Sequence, residues 1–154
     1  MAKKLGIYIH IPFCASKCSY CDFYSLAGCE HLMPDYHKAL TDHLKESAQS
    51  IKAYEVDSIY FGGGTPSFYG ADKLAELFNT LKLNGNVRVD SEVTVECNPD
   101  STSFNALKLL REEGVEYAET NLNLEDNRAI INQWKRFKAV QHKKRRSYVK
   151  KIES

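Results

Sequence analysis

Three thiols crowded onto one loop constrain this chain more than any other feature. Cys14, Cys18 and Cys21 follow the run Tyr8-Ile9-His10-Ile11-Pro12-Phe13 with the spacing Cys-x3-Cys-x2-Cys. Thiolate sets of this density bind soft metals or iron–sulfur clusters. Four thiolates close a zinc or iron–sulfur site, whereas three protein ligands leave one metal position open to a substrate. Gly6 to Ile11 reads as a buried strand, ended by Pro12, which cannot donate to a ladder. The thiols therefore hang from the carboxyl end of a first strand.

Two plainer accounts of the cysteines stand beside the open cluster. A zinc site could be closed by Cys29, His31 or His10, although zinc knuckles and ribbons favour Cys-x2-Cys pairs and only one such pair is present. A disulfide framework is the other, but five cysteines is an odd number. The start, Met1-Ala2-Lys3-Lys4 and then an apolar run, superficially mimics an export leader. Its apolar part is short, interrupted by His10 and Pro12, and Phe13 occupies the place where a small residue is needed. No run reaches the roughly 18 apolar residues of a membrane span, so a cytoplasmic chain without a transmembrane segment is expected.

The order strand, loop, helix occurs three times. After the cysteine loop, Pro34-Asp35 opens a helix to about Lys52, with Tyr36, Leu40, Leu44, Ala48 and Ile51 on one face. Val56 to Phe61 is the second strand, followed by Gly62-Gly63-Gly64-Thr65-Pro66 and a helix from about Ala71 to Leu81 with the stripe Leu74, Leu77, Phe78, Leu81. Three glycines let a ligand lie directly on the backbone; a flexible turn is the alternative. The loop lacks the Gly-Lys-Ser/Thr ending of a nucleotide P-loop. Glu92 to Cys97 alternates cleanly, with Val93, Val95 and Cys97 on one side and Glu92, Thr94 and Glu96 on the other. That aims Glu96, at a strand's carboxyl end, where α/β proteins bind ligands, while a solvated edge carboxylate is the plain account of any single Glu. A third helix, Ser103 to about Glu113, shows Phe104, Leu107 and Leu110.

The cysteine spacing, His10-Ile11-Pro12-Phe13 before it and Tyr20 just before the last thiol, resembles the radical S-adenosylmethionine superfamily. Within it, the wording resembles the branch of oxygen-independent coproporphyrinogen III oxidases and HemW-type heme chaperones. The resemblance implies a 4Fe-4S cluster on Cys14, Cys18 and Cys21, with S-adenosylmethionine chelating the remaining iron and an electron from the cluster cleaving its sulfonium to a 5'-deoxyadenosyl radical. It further implies that Gly63, Gly64, Thr65 and Glu96 contact S-adenosylmethionine and that Tyr8 and Tyr20 line it. An electron donor such as flavodoxin or ferredoxin, and heme or a porphyrinogen in full-length members, belong to the same implication. Phe23 stands where the oxidases carry a fourth cysteine, which favours the chaperone type. Cys29 and Cys97 are read as structural or incidental thiols. The alternative function is a non-catalytic fragment holding zinc or a cluster. No hydrolytic acid, base or nucleophile is evident, since the five histidines have no Ser or Asp partnership that spacing supports.

The resemblance covers roughly Leu5 to Val115, three βα units that make the N-terminal half of a partial TIM-like barrel. Residues 116–154 are read as a tail, helical or disordered and outside the family pattern. Gly114 should end the third helix and feed a fourth strand, but Glu116 to Leu124 carries only a weak apolar run. Although the net charge is +1, nine Lys or Arg against one Asp or Glu fall between Trp134 and Ser154. Without stacking aromatics or a DNA-binding motif, this basic stretch reads as solvated helix or frayed tail rather than a nucleic-acid interface. The chain is expected to be a truncated product, inactive on its own.

Overall fold

In a computed structural model of the chain, residues 2–19 and 21–120 are described, together with 128, 131, 132, 135 and 140. Contacts divide the chain into two units, 1–122 and 123–154. The basic run Lys143 to Arg146 lies outside the described residues, as does Tyr20.

In the first unit, β1 (Lys3–Ile11), β4 (Tyr54–Gly63), β5 (Val87–Glu96) and β6 (Tyr117–Glu119) form one sheet in that order. Every pairing is parallel. The helices α1 (Met33–Glu46), α4 (Ala71–Asn84) and α5 (Phe104–Glu113) complete the crossovers, α1 packing on α4 and α4 on α5. Each crossover advances the chain one strand in the same direction, which is how a βα barrel is laid down. No helix among the described residues is long and apolar enough to cross a membrane.

Strand alternation decides which face meets the helices. Ile9 and Ile11 from β1, Ile59 and Phe61 from β4, and Val93 and Val95 from β5 are buried with Leu44, Leu74, Leu77, Phe78, Leu81 and Leu110. Burial of such side chains is worth roughly 1.5–3 kcal/mol each, so this layer holds the unit together. The register Tyr8↔Tyr60↔Thr94↔Tyr117, with Glu96↔Glu119 above it, places polar and aromatic residues on the opposite face.

Several boundaries differ from expectation. The single helix expected to run to Lys52 is interrupted at Ser47, whose N–H bonds His43 O at 2.9 Å, and α2 (Ala48–Lys52) follows. Ser is a poor helix-interior residue because its side chain offers the backbone alternative partners. A fourth strand does form. β6 lies within the segment read as tail, and its short backbone pairs with Thr94 to Glu96 even though Tyr117 and Ala118 stay exposed. Ladder pairing, rather than apolar burial, defines it, so a hydrophobic pattern could not find it. Phe104, one of the three apolar residues read on the third helix, is 76% exposed. The α4–α5 bonds gather at the other end, where Asn79 and Lys82 meet Glu113, and leave the first turn of α5 uncovered. β5 also begins five residues before Glu92, because Val87 already pairs with Val56. Between that pair and Ser58↔Glu92, residues Arg88 to Ser91 bulge opposite Asp57 alone.

Candidate functional site

Three loops leave the carboxyl ends of β1, β4 and β5. The first carries the thiols. Its base is pinched by a two-stranded parallel ladder, β2 (Phe13–Cys14) with β3 (Leu26–Ala27), in which Cys14 pairs with Ala27. Inside the loop the Lys17 ammonium donates to Phe23 O at 2.7 Å and to Ser25 Oγ at 2.9 Å, closing the segment that contains Cys18 and Cys21. Cys21 N–H donates to Cys18 O at 3.1 Å. All five cysteines are free thiols.

Beneath this loop sits an aromatic floor. Phe13 stacks on the buried Tyr69 with ring centroids 5.7 Å apart, and Tyr36 meets both rings edge-on. The Tyr36 hydroxyl donates to His10 O. His37 Nδ1 lies 2.8 Å from the Tyr69 hydroxyl, and its Nε2 is 3.2 Å from the Glu76 carboxylate, near enough for an ion pair though not aligned as a hydrogen bond. Helix α1 and the short α3 (Pro66–Tyr69) are thereby tied under the cysteines.

The second loop is the glycine run, and its backbone is largely committed inward. Gly63 N–H donates to Glu96 Oε2 at 3.1 Å, Gly64 N–H to Ile11 O at 2.7 Å, and Thr65 N–H to Phe13 O at 2.8 Å. A Cβ at Gly64 would lie 2.7 Å from Phe13 O and 2.8 Å from the Pro12 carbonyl, so only glycine permits the approach. At Gly63, φ is +118° and a Cβ would meet the His10 ring at 2.6 Å. With these N–H groups turned inward, the loop is no phosphate cradle. The charged group it holds is a carboxylate, an acceptor suited to an amino group.

That carboxylate, Glu96, is partly buried. Burial raises its pKa above the ordinary glutamate value, and the hydrogen bonds from Tyr60 and Gly63 N–H pull it part of the way back. The Tyr60 hydroxyl donates to Glu96 Oε1 at 2.9 Å and lies 3.4 Å from Glu119 Oε2. Tyr8 stacks on Tyr60 at 6.0 Å and shares a 3.2 Å hydrogen bond with His10 Nδ1, while His10 Nε2 reaches Tyr24 O at 2.9 Å.

Of the residues expected from sequence, Gly63 and Glu96 are in direct contact, and Thr65 Oγ1 donates to Cys14 Sγ at 3.5 Å. Tyr8 joins them through Tyr60. Cys97 is buried and its thiol is pushed up to about 11 by that burial, which leaves it a core side chain. Cys29 donates to Ala27 O at 3.5 Å. Sequence reasoning missed Tyr60, Glu119, Lys17 and the His37–Tyr69 tie. Tyr60 was within reach, because the alternation that buries Ile59 and Phe61 turns it toward Glu96.

Among the described residues no three His, Cys, Asp or Glu side chains converge on one metal-ion position, and both His10 ring nitrogens are engaged. A four-iron cluster takes each thiolate on a different iron, so it does not require such convergence. Three free thiols on one loop, pinned at the base and bordered by Thr65, fit that group by donor chemistry.

Comparison with known proteins adds the family. The pattern of the Radical SAM superfamily matches residues 8–149, running past Val115, where the resemblance noted in the sequence stops. The chain is 39% identical over 103 residues to the heme chaperone HemW of Mycobacterium tuberculosis, covering 65% of this chain and 26% of that protein. It is 37% identical over 97 residues to HemW of Escherichia coli K12, covering 62% and 25%. An anaerobilin synthase of Escherichia coli O157:H7 is 36% identical over 96 residues, covering 61% and 22%. Among solved structures, the Escherichia coli coproporphyrinogen III oxidase HemN, described as a radical SAM enzyme, superposes with a TM-score of 0.72 at 25% identity over 84% of this chain and 31% of that one. The chain spans about a quarter of the length of the HemW relatives it matches, and its sheet corresponds to the N-terminal part of the HemN barrel.

Proposed function

The chain belongs to the radical SAM superfamily, in the branch of HemW and HemN, and from that premise we propose that it holds a 4Fe-4S cluster on Cys14, Cys18 and Cys21 beside S-adenosylmethionine. The observation that carries this reading is a pair of contacts. Thr65 Oγ1 meets Cys14 Sγ at 3.5 Å, and Gly63 N–H meets Glu96 at 3.1 Å. Loops from three strands therefore adjoin where βα proteins bind ligands.

When bound, the cluster and S-adenosylmethionine together supply one-electron reductive cleavage of a sulfonium carbon–sulfur bond. The chain's own residues orient the cofactor. The cysteine loop offers three thiolates, and Gly63 and Gly64 form a side-chain-free shelf beside them, with Thr65 Oγ1 against Cys14. Glu96 accepts from the amino group, and Tyr8 and Tyr20 line the cofactor. Lys17 keeps the loop closed around Cys18 and Cys21.

Within the branch, the reading is a HemW-type protein handling heme rather than an oxidase of porphyrinogen. Phe23, 65% exposed on the cysteine loop, occupies the position where the oxidases carry another cysteine, and relatives named heme chaperones support the same choice. The electron comes from a small donor protein of the flavodoxin or ferredoxin kind.

Anaerobic reconstitution of the full chain with iron and sulfide tests the reading. The expected result, after one-electron reduction with dithionite, is a 4Fe-4S EPR signal that changes on adding S-adenosylmethionine. Stoichiometric zinc retention without such a signal would overturn it in favour of a non-catalytic metal-binding chain.

A further inference from the structure

Tyr60 stands on the sheet face that carries Tyr8 and Glu96. The alternation of β4 turns it away from the helix layer, between Tyr8 and Thr94 in the sheet register. Its ring stacks on Tyr8 at an interplanar angle of 20°. Its edge fills the space above Gly62, where a Cβ would lie 2.7 Å from Tyr60 Cε1. Its hydroxyl, 2.9 Å from Glu96 Oε1, completes a two-point hold on that carboxylate, whose other oxygen accepts from Gly63 N–H.

We propose that Tyr60 is a positioning residue that fixes the Glu96 carboxylate toward the amino-acid end of S-adenosylmethionine and so sets the preference of the site for that end of the ligand. The inference rests on the radical SAM reading above. A carboxylate on a flexible side chain must lose rotamer freedom to accept a hydrogen bond from a ligand. Here both oxygens are already anchored, and each retains acceptor capacity because a carboxylate has about four lone-pair sites. Glu119 makes the anchor more important. Its carboxylate stands in register beside Glu96, 3.4 Å from the same hydroxyl. One phenolic proton between two carboxylates relieves their repulsion. Burial and both carboxylates raise the phenol's pKa well above the ordinary tyrosine value, so the hydroxyl remains a donor.

The test is equilibrium binding of two ligands to the anaerobically reconstituted full chain: S-adenosylmethionine, and 5'-methylthioadenosine, which lacks the amino-acid group. Tyr60→Phe keeps the ring against Tyr8 and Gly62 and removes only the hydroxyl; iron content equal to that of the native chain reports that cluster and fold are retained. The expected result is an about tenfold weaker Kd for S-adenosylmethionine, the cost of ordering one flexible side chain on binding, with the Kd for 5'-methylthioadenosine unchanged. In a Glu96→Gln background the same substitution should no longer discriminate the two ligands. Equal weakening of both ligands, or none of either, overturns the proposal while leaving the radical SAM reading intact. A native chain that takes up iron but binds no S-adenosylmethionine overturns both.

Discussion

Thr65 donates its hydroxyl to the sulfur of Cys14 across 3.5 Å, so the loop that ends β4 touches the first thiol of the loop that ends β1. The contact joins residues far apart in the chain and lies directly above the pinch between Cys14 and Ala27. A change in the glycine loop is therefore felt at the cysteines, and the outcomes below follow from how each loop is held.

Alanine substitution separates the loop thiols from the core thiol. Cys14→Ala, Cys18→Ala and Cys21→Ala should each abolish most of the iron taken up per chain on anaerobic reconstitution. Cys97→Ala should keep it, because that thiol is 3% exposed behind the sheet and burial disfavours its thiolate. Its effect is a cavity worth about 1–2 kcal/mol in a urea titration. Iron retention in the three loop variants equal to that of Cys97→Ala would contradict the site.

Gly64→Ala should be among the most damaging single-methyl additions. The new Cβ meets backbone atoms of Pro12 and Phe13 at 2.7–2.8 Å, and backbone cannot rotate away. Relief requires separating the loop from β1, which breaks Gly64 N–H to Ile11 O and Thr65 N–H to Phe13 O. A loss of about 2–3 kcal/mol in the urea unfolding free energy is expected. At Gly70 a Cβ meets nothing nearer than Lys73 Nζ at 3.9 Å, although φ is +115°. Gly70→Ala therefore carries backbone strain alone, about 1 kcal/mol, and a larger loss there than at Gly64 would refute the steric account.

Glu96 gives stability a pH dependence of defined sign. Burial is the largest influence on it and holds its pKa in the folded chain above the unfolded value. Between those two values the folded state binds more proton than the unfolded state, so unfolding free energy falls as pH rises through that window. The window begins near the ordinary glutamate value of about 4.3. Relative to Glu96→Gln, the native chain should be at its best below the window, lose ground as pH rises through it, and keep a constant difference above it. Paired urea titrations across the acid range read this directly, and a difference growing in the native chain's favour with pH would reverse the assignment.

The parts of this fold that announce themselves in the sequence are those with one dominant requirement. Ile9, Ile11, Val93 and Val95 alternate because one sheet face is buried, and Leu74, Leu77, Phe78 and Leu81 recur because α4 packs along a stripe. The cysteines and glycines are legible because few other residue types could serve there. What stayed hidden depends on partners distant in sequence. The β2–β3 ladder is two residues long and rests on Leu26 N–H finding Pro12 O. β6 is held by pairing with β5 while Tyr117 remains exposed. Tyr60 is a good strand residue by itself, and only its register beside Tyr8 and below Glu96 gives it meaning. His37 reads as a surface helix residue until Tyr69 and Glu76 are seen to meet its ring.

The bulge of β5 decides where this domain can absorb length variation. Arg88 to Ser91 already loop out opposite Asp57, with Val89 in solvent and Ser91 Oγ tied back to Val56 O at 2.6 Å. An added residue at its tip enlarges a slack segment and leaves the pairing from Glu92 upward in step. The same residue added between Glu92 and Glu96 would turn the carboxylate into the helix layer and deliver a valine to the ligand wall, because strand side chains alternate with a period of two. Insertions in functional descendants of this chain should therefore collect at the foot of the strand and be excluded from its upper half.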